Sequence, residues 1–212
     1  MQIAIALYER FTALDAIGPY QMLAGVPDAQ VVFVAERTGP VRDDSGQFAV
    51  VADKTFAEVP DPDVLVVPGG PGQSDQMENA PLLDWLRTAD ATSTWTTSVC
   101  TGSLALAAAG LLEGRTATSH WLALGELEKL GVRPSEERVV FDGKYVTAAG
   151  VSSGIDMGLA LVGRIAGDER AQTVQLITEY DPQPPYDAGS PKKAPAHLVE
   201  MFREQSRFTE DA

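Results

Sequence analysis

The sequence predicts an α/β fold in which an open, mainly parallel sheet is sandwiched by helices. Three observations carry this. Short runs such as Val64, Leu65, Val66 and Val67 are apolar at every position, as strands buried on both faces are. Tight turns containing glycine follow several of these runs and lead into residues with helical spacing. The strand, turn and helix alternate along the chain without any internal sequence repeat. In such sheets ligands bind at the carboxyl ends of the strands.

The first run, 3–7, predicts a strand that leads through a turn to 14–23, where Pro19 is placed to open a helix. Residues 31–35 repeat the strand signal, and 39–51, punctuated by Gly39-Pro40 and Ser45-Gly46, read as a hairpin or meander. The run 64–67 stops at Pro68-Gly69-Gly70-Pro71-Gly72, and 82–86 have helical spacing. The β-prone 94–99 lead into Cys100-Thr101-Gly102-Ser103 and an alanine-rich helix over 104–109 closed by Gly110. Beyond Arg115 the pattern predicts a short strand, a helix over about 121–130 and a hairpin of 138–141 and 145–148 around Asp142-Gly143. Helices over 153–166 and 168–180 follow. Residues 181–195 hold five of the fourteen prolines, which marks a loop before a last helix. With 212 residues and no linker-like stretch, one domain over 1–212 is expected, with its core in 1–180.

Hydrophobic residues make up 44% and charged residues 22%, enough for a sizeable core. A formal net charge of −14, with no Lys/Arg-rich stripe, repels phosphate backbones, so no nucleic-acid partner is expected. The single cysteine rules out an intrachain disulfide and a multi-cysteine zinc site, and it suits a reducing cytoplasm. The two histidines do not stand at ligand spacing, which argues against zinc or iron. The first residues lack a basic leader pattern, and no run approaches the roughly 20 apolar residues of a membrane span. A cytoplasmic protein acting on a small molecule, with no cofactor, no metal and no membrane contact, is the expectation.

Cys100 stands between a predicted strand and a helix whose first turn has small residues, the setting of a nucleophile elbow. A lone cysteine is more often an inert small hydrophobe; its place in the chain is what favours a nucleophile. A thiol there meets the free N–H groups of a helix start, which predicts a thiolate at neutral pH. Gly70, ending another central strand, is placed to bring its N–H beside the elbow and to form an oxyanion hole with the Thr101 N–H. The spacing around it is not that of a dinucleotide or Walker loop.

Asp15 follows the first strand within apolar neighbours, so burial near sulfur predicts a raised pKa and service as proton donor and then base. A helix N-cap is its competing role, and the residues alone leave the two open. Gly150-Val151-Ser152-Ser153-Gly154 matches the serine-hydrolase elbow G-x-S-x-G, with His197 as the only late histidine. Ser152 or Ser153 reads better as a cap of the long helix, with the glycines allowing close packing. His120 reads as a structural residue or one behind the site.

Four segments taken together resemble the DJ-1/PfpI superfamily: Leu14-Asp15-Ala16-Ile17-Gly18-Pro19, Val66-Val67-Pro68-Gly69-Gly70, Ser98-Val99-Cys100-Thr101-Gly102-Ser103 and Gly150-Val151-Ser152-Ser153-Gly154-Ile155-Asp156. The resemblance runs over about 1–205 and implies a flavodoxin-like sandwich, a homodimer, an elbow cysteine at Cys100, a nearby acid at Asp15 and no metal. The stretch 179–191 is similar to the isonitrile hydratases, in which the threonine after the cysteine matters for activity; Thr101 matches it. The protease-like branch has histidine at that place, so a Cys-His-Glu peptidase is not expected. The AraC-type regulators append a helix-turn-helix domain, which these 212 residues do not contain. The resemblance implies hydration of an organic isonitrile to an N-substituted formamide through a thioimidate on Cys100. Asp15 would move protons, and Thr101 and Gly70 would orient the intermediate. A glyoxalase III or deglycase-like activity and a non-catalytic thiol sensor are the alternatives.

Overall fold

In the computed structural model, which describes residues 1–208, the apolar runs become strands and the spaced stretches become helices. The order is β1 (Gln2–Ala6), α1 (Ala13–Leu23), β2 (Gln30–Ala35), β3 (Gly39–Arg42), β4 (Ala49–Ala52), β5 (Lys54–Thr55), β6 (Val64–Val67), α2 (Gln73–Gln76), α3 (Ala80–Thr92) and β7 (Trp95–Val99). It continues with α4 (Gly102–Ala108), β8 (Thr116–Ala117), α5 (Leu124–Lys129), β9 (Arg133–Pro134), β10 (Val139–Asp142), β11 (Tyr145–Ala148), α6 (Ser153–Ala166), α7 (Asp168–Ile177) and α8 (Ala196–Glu204).

Seven strands form the main sheet in the order β10-β11-β7-β6-β1-β2-β5. Every neighbouring pair is parallel except the β10/β11 hairpin, whose two-residue loop is Gly143-Lys144. Registers such as Ile3 with Val64 and Val66 with Thr97 bring the ends of β1, β6 and β7 to one edge. All four residues of β6 are fully buried, as a central strand covered on both faces requires. Successive strand residues point to opposite faces: Ile3, Ile5, Val64 and Val66 join one core with α1 and α6, and Ala4, Ala6, Leu65 and Val67 join the other with α3 and α4. Helices α1 and α6 approach closely. A Cβ added at Gly154 would meet the Pro19 ring at 3.1 Å and Val99 at 3.0 Å, so any larger residue would press the two helices apart by a few tenths of an ångström.

Several boundaries differ from expectation. Helix α1 opens at Ala13, six residues before Pro19, which lies inside it. Proline forfeits one helical bond there, and packing of its ring against α6 offsets the loss. The predicted helix over 121–130 divides into a 3₁₀ turn at Trp121–Ala123 and α5. Helix α7 stops at Ile177, short of 180, with Glu179 in a left-handed conformation (φ 48°). The two-residue strands β5 and β9 and the single turn α2 carry too little periodicity to be foreseen. Residues 181–195 form no helix or strand and are largely exposed. Among the described residues, no helix is long and apolar enough to cross a membrane.

Candidate active site

Strand β7 ends on Val99, and the chain turns sharply into α4 through Cys100, whose φ of 58° is left-handed. For a residue with a side chain that conformation costs about 1–2 kcal/mol. Hydrogen bonds hold it: the Cys100 N–H is shared between the carbonyls of Ala148 (3.0 Å) and Ala149 (2.9 Å). Its carbonyl accepts from Ser103 Oγ at 3.1 Å and Ser119 Oγ at 3.0 Å. Its side chain lies beside Asp15.

Cys100 is only 5% exposed. Burial first, and the Asp15 charge second, push its thiol up to about 12, against the backbone N–H groups of Val151 and Thr101. This corrects the expectation of a thiolate at neutral pH. Helix α4 has seven residues, and what its start offers is outweighed by desolvation and a facing carboxylate. The resting group is a thiol.

Asp15 is the third residue of α1 and fully buried. Its Oδ2 accepts the Gly69 N–H at 2.9 Å, while Oδ1 has no hydrogen-bond partner. Burial raises its pKa to about 7; the Gly69 N–H and the Cys100 side chain pull it down and the Asp44 charge adds to it. Thr12, not Asp15, occupies the N-cap position. A carboxyl group that is half protonated near neutrality thus faces a thiol.

The turn after β6 closes the site. Glycine is required at 69, because a Cβ would come within 2.5 Å of the Thr101 N, 2.7 Å of Thr101 Oγ1 and 2.9 Å of Asp15 Oδ2. The Gly70 N–H donates to Thr101 Oγ1 at 3.1 Å, so it is occupied by that hydroxyl in this state. Tyr8 donates its hydroxyl to the Pro68 carbonyl at 2.6 Å. Its pKa is raised chiefly by burial and then by Asp15 and Cys100, which keeps it a neutral phenol.

The structure thus brings Asp15, Gly70, Cys100 and Thr101 together. Tyr8, Ser119 and Arg207 share the surroundings and escaped sequence reasoning, and Gly69, Ser103 and Val151 entered it only as members of motifs. Tyr8 and Gly69 at least adjoin strand ends. Ser119 and Arg207 arrive from distant segments with no local signal.

His120 does not bond the cysteine. Its Nδ1 accepts the Leu122 N–H at 3.3 Å and its ring fills the space over Gly150, 2.9 Å from where a Cβ would stand. Burial and the Arg207 charge lower its pKa, so it is neutral. The serines at the start of α6 do not cap it through their side chains. Ser152 has helical φ and ψ of −68° and −17° and accepts from Arg138 Nη2 at 3.2 Å; Ser153 Oγ turns back to the Gly150 carbonyl at 3.1 Å. His197 is exposed on α8. Among the described residues no cluster of three or more His, Cys, Asp or Glu side chains could hold a metal ion.

The model of the DJ-1/PfpI family matches residues 1–164. The chain belongs to the DJ-1/PfpI family. It is 43% identical to the isonitrile hydratase of Pseudomonas putida over 206 residues, covering 97% of this chain and 90% of that protein. A THiJ/PfpI family protein from Pseudomonas syringae superposes with a TM-score of 0.93 at 41% identity, over 96% of this chain and 85% of its own. Oxidized DJ-1 from Toxoplasma gondii shares the fold at 24% identity and a TM-score of 0.76, over 85% of this chain and 99% of its own. These likenesses and the sheet order agree on the flavodoxin-like α/β sandwich.

Proposed function

We propose that this DJ-1/PfpI protein hydrates an organic isonitrile, R–NC, to the N-substituted formamide, with Cys100 as nucleophile and Asp15 as proton carrier. The observation that carries this reading is a buried neutral thiol facing a buried carboxyl group with a pKa of about 7 and an unpartnered oxygen. An isonitrile carbon accepts a proton and a nucleophile on the same atom, so it needs a group that gives a proton where the sulfur attacks. The Asp15 carboxylate takes the S–H proton and delivers it to that carbon as the S–C bond forms, leaving R–N=CH–S–Cys100 with no net charge change.

Water completes the cycle. Asp15 removes a proton from water as its oxygen bonds to the carbon and the nitrogen is protonated. The C–S bond then breaks, the O–H proton returns by way of Asp15 to the sulfur, and R–NH–CHO leaves. Thr101, bridging to the Gly70 N–H, orients the intermediate. The 43% identity to an isonitrile hydratase supports the substrate class. Low exposure and the raised thiol pKa weigh against a peroxide-sensing cysteine, since oxidation tracks thiolate character and access.

We take the working unit to be one domain per chain, in a homodimer, in a reducing compartment. Leu176 and Ile177, 78% and 75% exposed at the end of α7, support a partner surface. The test incubates the protein with aryl and alkyl isonitriles, and separately with methylglyoxal, and follows formamide and lactate by NMR. Formamide from wild type and none from Cys100→Ala is the expected result. Formamide from Cys100→Ala overturns the covalent route, and lactate without formamide overturns the substrate class.

A further inference from the structure

The turn Pro68-Gly69-Gly70-Pro71-Gly72 positions the site from several sides. Its first carbonyl accepts Tyr8, the Gly69 carbonyl accepts the Thr12 N–H at 2.9 Å, and the Gly69 and Gly70 N–H groups hold Asp15 and Thr101. The outer side is held from the far end of the chain. Arg207 Nη2 donates to the Gly70 carbonyl at 3.0 Å and to Oε1 of the fully buried Gln73 at 3.2 Å, and Nη1 donates to the Pro71 carbonyl.

The segment that carries Arg207 is anchored. Val199 of α8 is buried, and Phe208 packs against the core face formed by α3 and α4. The Arg207 guanidinium lies 4.7 Å from the centre of the Phe208 ring.

We propose that Arg207 is a positioning residue for the cysteine chemistry: by gathering the Gly70 and Pro71 carbonyls it fixes the backbone at Gly70, whose N–H holds Thr101 beside Cys100. A glycine peptide has little preference of its own, and Gly70 sits at φ 134°. Without the clamp Gly70 is free to turn and Thr101 loses its tether, while the Gly69 N–H that serves Asp15 stays held through Tyr8 on the Pro68 carbonyl and Thr12 on the Gly69 carbonyl. The cation serves the same end. Its charge is felt by Tyr8 and Cys100, and it favours a developing thiolate. The other charged or titratable groups around it are His120 on the site side, and Arg10 with Asp75, paired with each other at 2.8 Å, on the outer side.

This inference rests on Cys100 as the nucleophile, and alkylation reads that sulfur whether or not isonitriles are the substrate. Wild type, Arg207→Met, Arg207→Lys and Arg203→Met are compared in the full-length protein. Arg203 lies over Trp121 at 6.0 Å and bonds none of the turn, so its variant serves as the control. Three measurements are made: the rate of Cys100 carbamidomethylation by iodoacetamide from pH 7 to 11 by intact mass, kcat and KM for formamide formation, and thermal unfolding.

In Arg207→Met, alkylation at pH 9 is expected to slow by about tenfold and kcat to fall by about tenfold or more, with KM moved far less. Arg207→Lys, which keeps the charge without the fork, is expected to restore alkylation more than kcat. Wild-type rates in Arg207→Met overturn the proposal. So do equal losses in Arg203→Met, which would reduce the effect to general loosening; if Arg207→Met melts much lower, Arg207→Lys decides, and wild-type kcat in it also overturns the clamp. A wild-type protein that makes no formamide, yet whose alkylation slows in Arg207→Met, removes the hydratase reading and keeps Arg207.

Discussion

Asp15 and Asp90 are both buried, one at each end of the parallel strands, and they are served very differently. Asp90 lies where β7 and β11 begin. Its Oδ1 accepts Thr96 Oγ1 at 2.6 Å and lies 3.1 Å from Lys144 Nζ, and its Oδ2 accepts the Tyr145 hydroxyl at 3.0 Å. Asp15 lies where the strands end, with one backbone donor, one oxygen unpartnered and a thiol for a neighbour. A buried acid that is saturated with partners ties elements together. One that is left short of partners is costly to ionise, and the proton transfer proposed for Asp15 draws on that cost.

Exchanging the acids for amides breaks the comparison most sharply. Asp15→Asn is expected to lower kcat for formamide formation by about 10²–10⁴-fold, the range lost with a general acid–base, while the protein stays folded. The next effect is on stability. Asp15 binds its proton more tightly folded than unfolded, so its contribution is full below about pH 4 and is lost as pH rises to about 7, a difference of about 4 kcal/mol. Urea unfolding at pH 5 and pH 8 should show Asp15→Asn gaining on wild type at the higher pH; a constant difference would contradict the raised pKa.

Asp90→Asn should do the reverse, losing about 1–3 kcal/mol by urea unfolding and keeping kcat. Its kcat/KM should retain the limb near pH 7 that Asp15 gives wild type, rising with pH as the carboxylate forms. The smallest expected effect concerns the elbow. Cys100→Gly should unfold about 1 kcal/mol later than Cys100→Ala, because glycine relieves the left-handed strain at φ 58°.

Much of this is legible in the sequence. Runs without polar alternation mark the central strands, and the helix predicted over 153–166 runs over those residues. Asp15, Gly70, Cys100 and Thr101 were each placed near a strand end, and β1, β6 and β7 do end together. What escaped was competition between opposing effects and contact across distance. Helix-end stabilisation and burial act on Cys100 with opposite signs, and only the packed site shows that burial dominates. Pro19 looks like a helix opener until the glycines of α6 are seen to need its ring. Ser119 and Arg207 lie 19 and 107 residues beyond the cysteine whose surroundings they share, and no local pattern announces such partners.

The cysteine of the elbow is the only one among 212 residues. Any adduct on sulfur therefore registers as a single mass increment for each chain, and the modified fraction is a direct titration of working sites. On the proposed route, with a slow substrate, the early rise of a thioimidate-sized increment would measure how fast the sulfur is loaded, and its steady level set against formamide release would measure how fast it is emptied. The two half-reactions become separable without a reporter group, a tag or a second mutation.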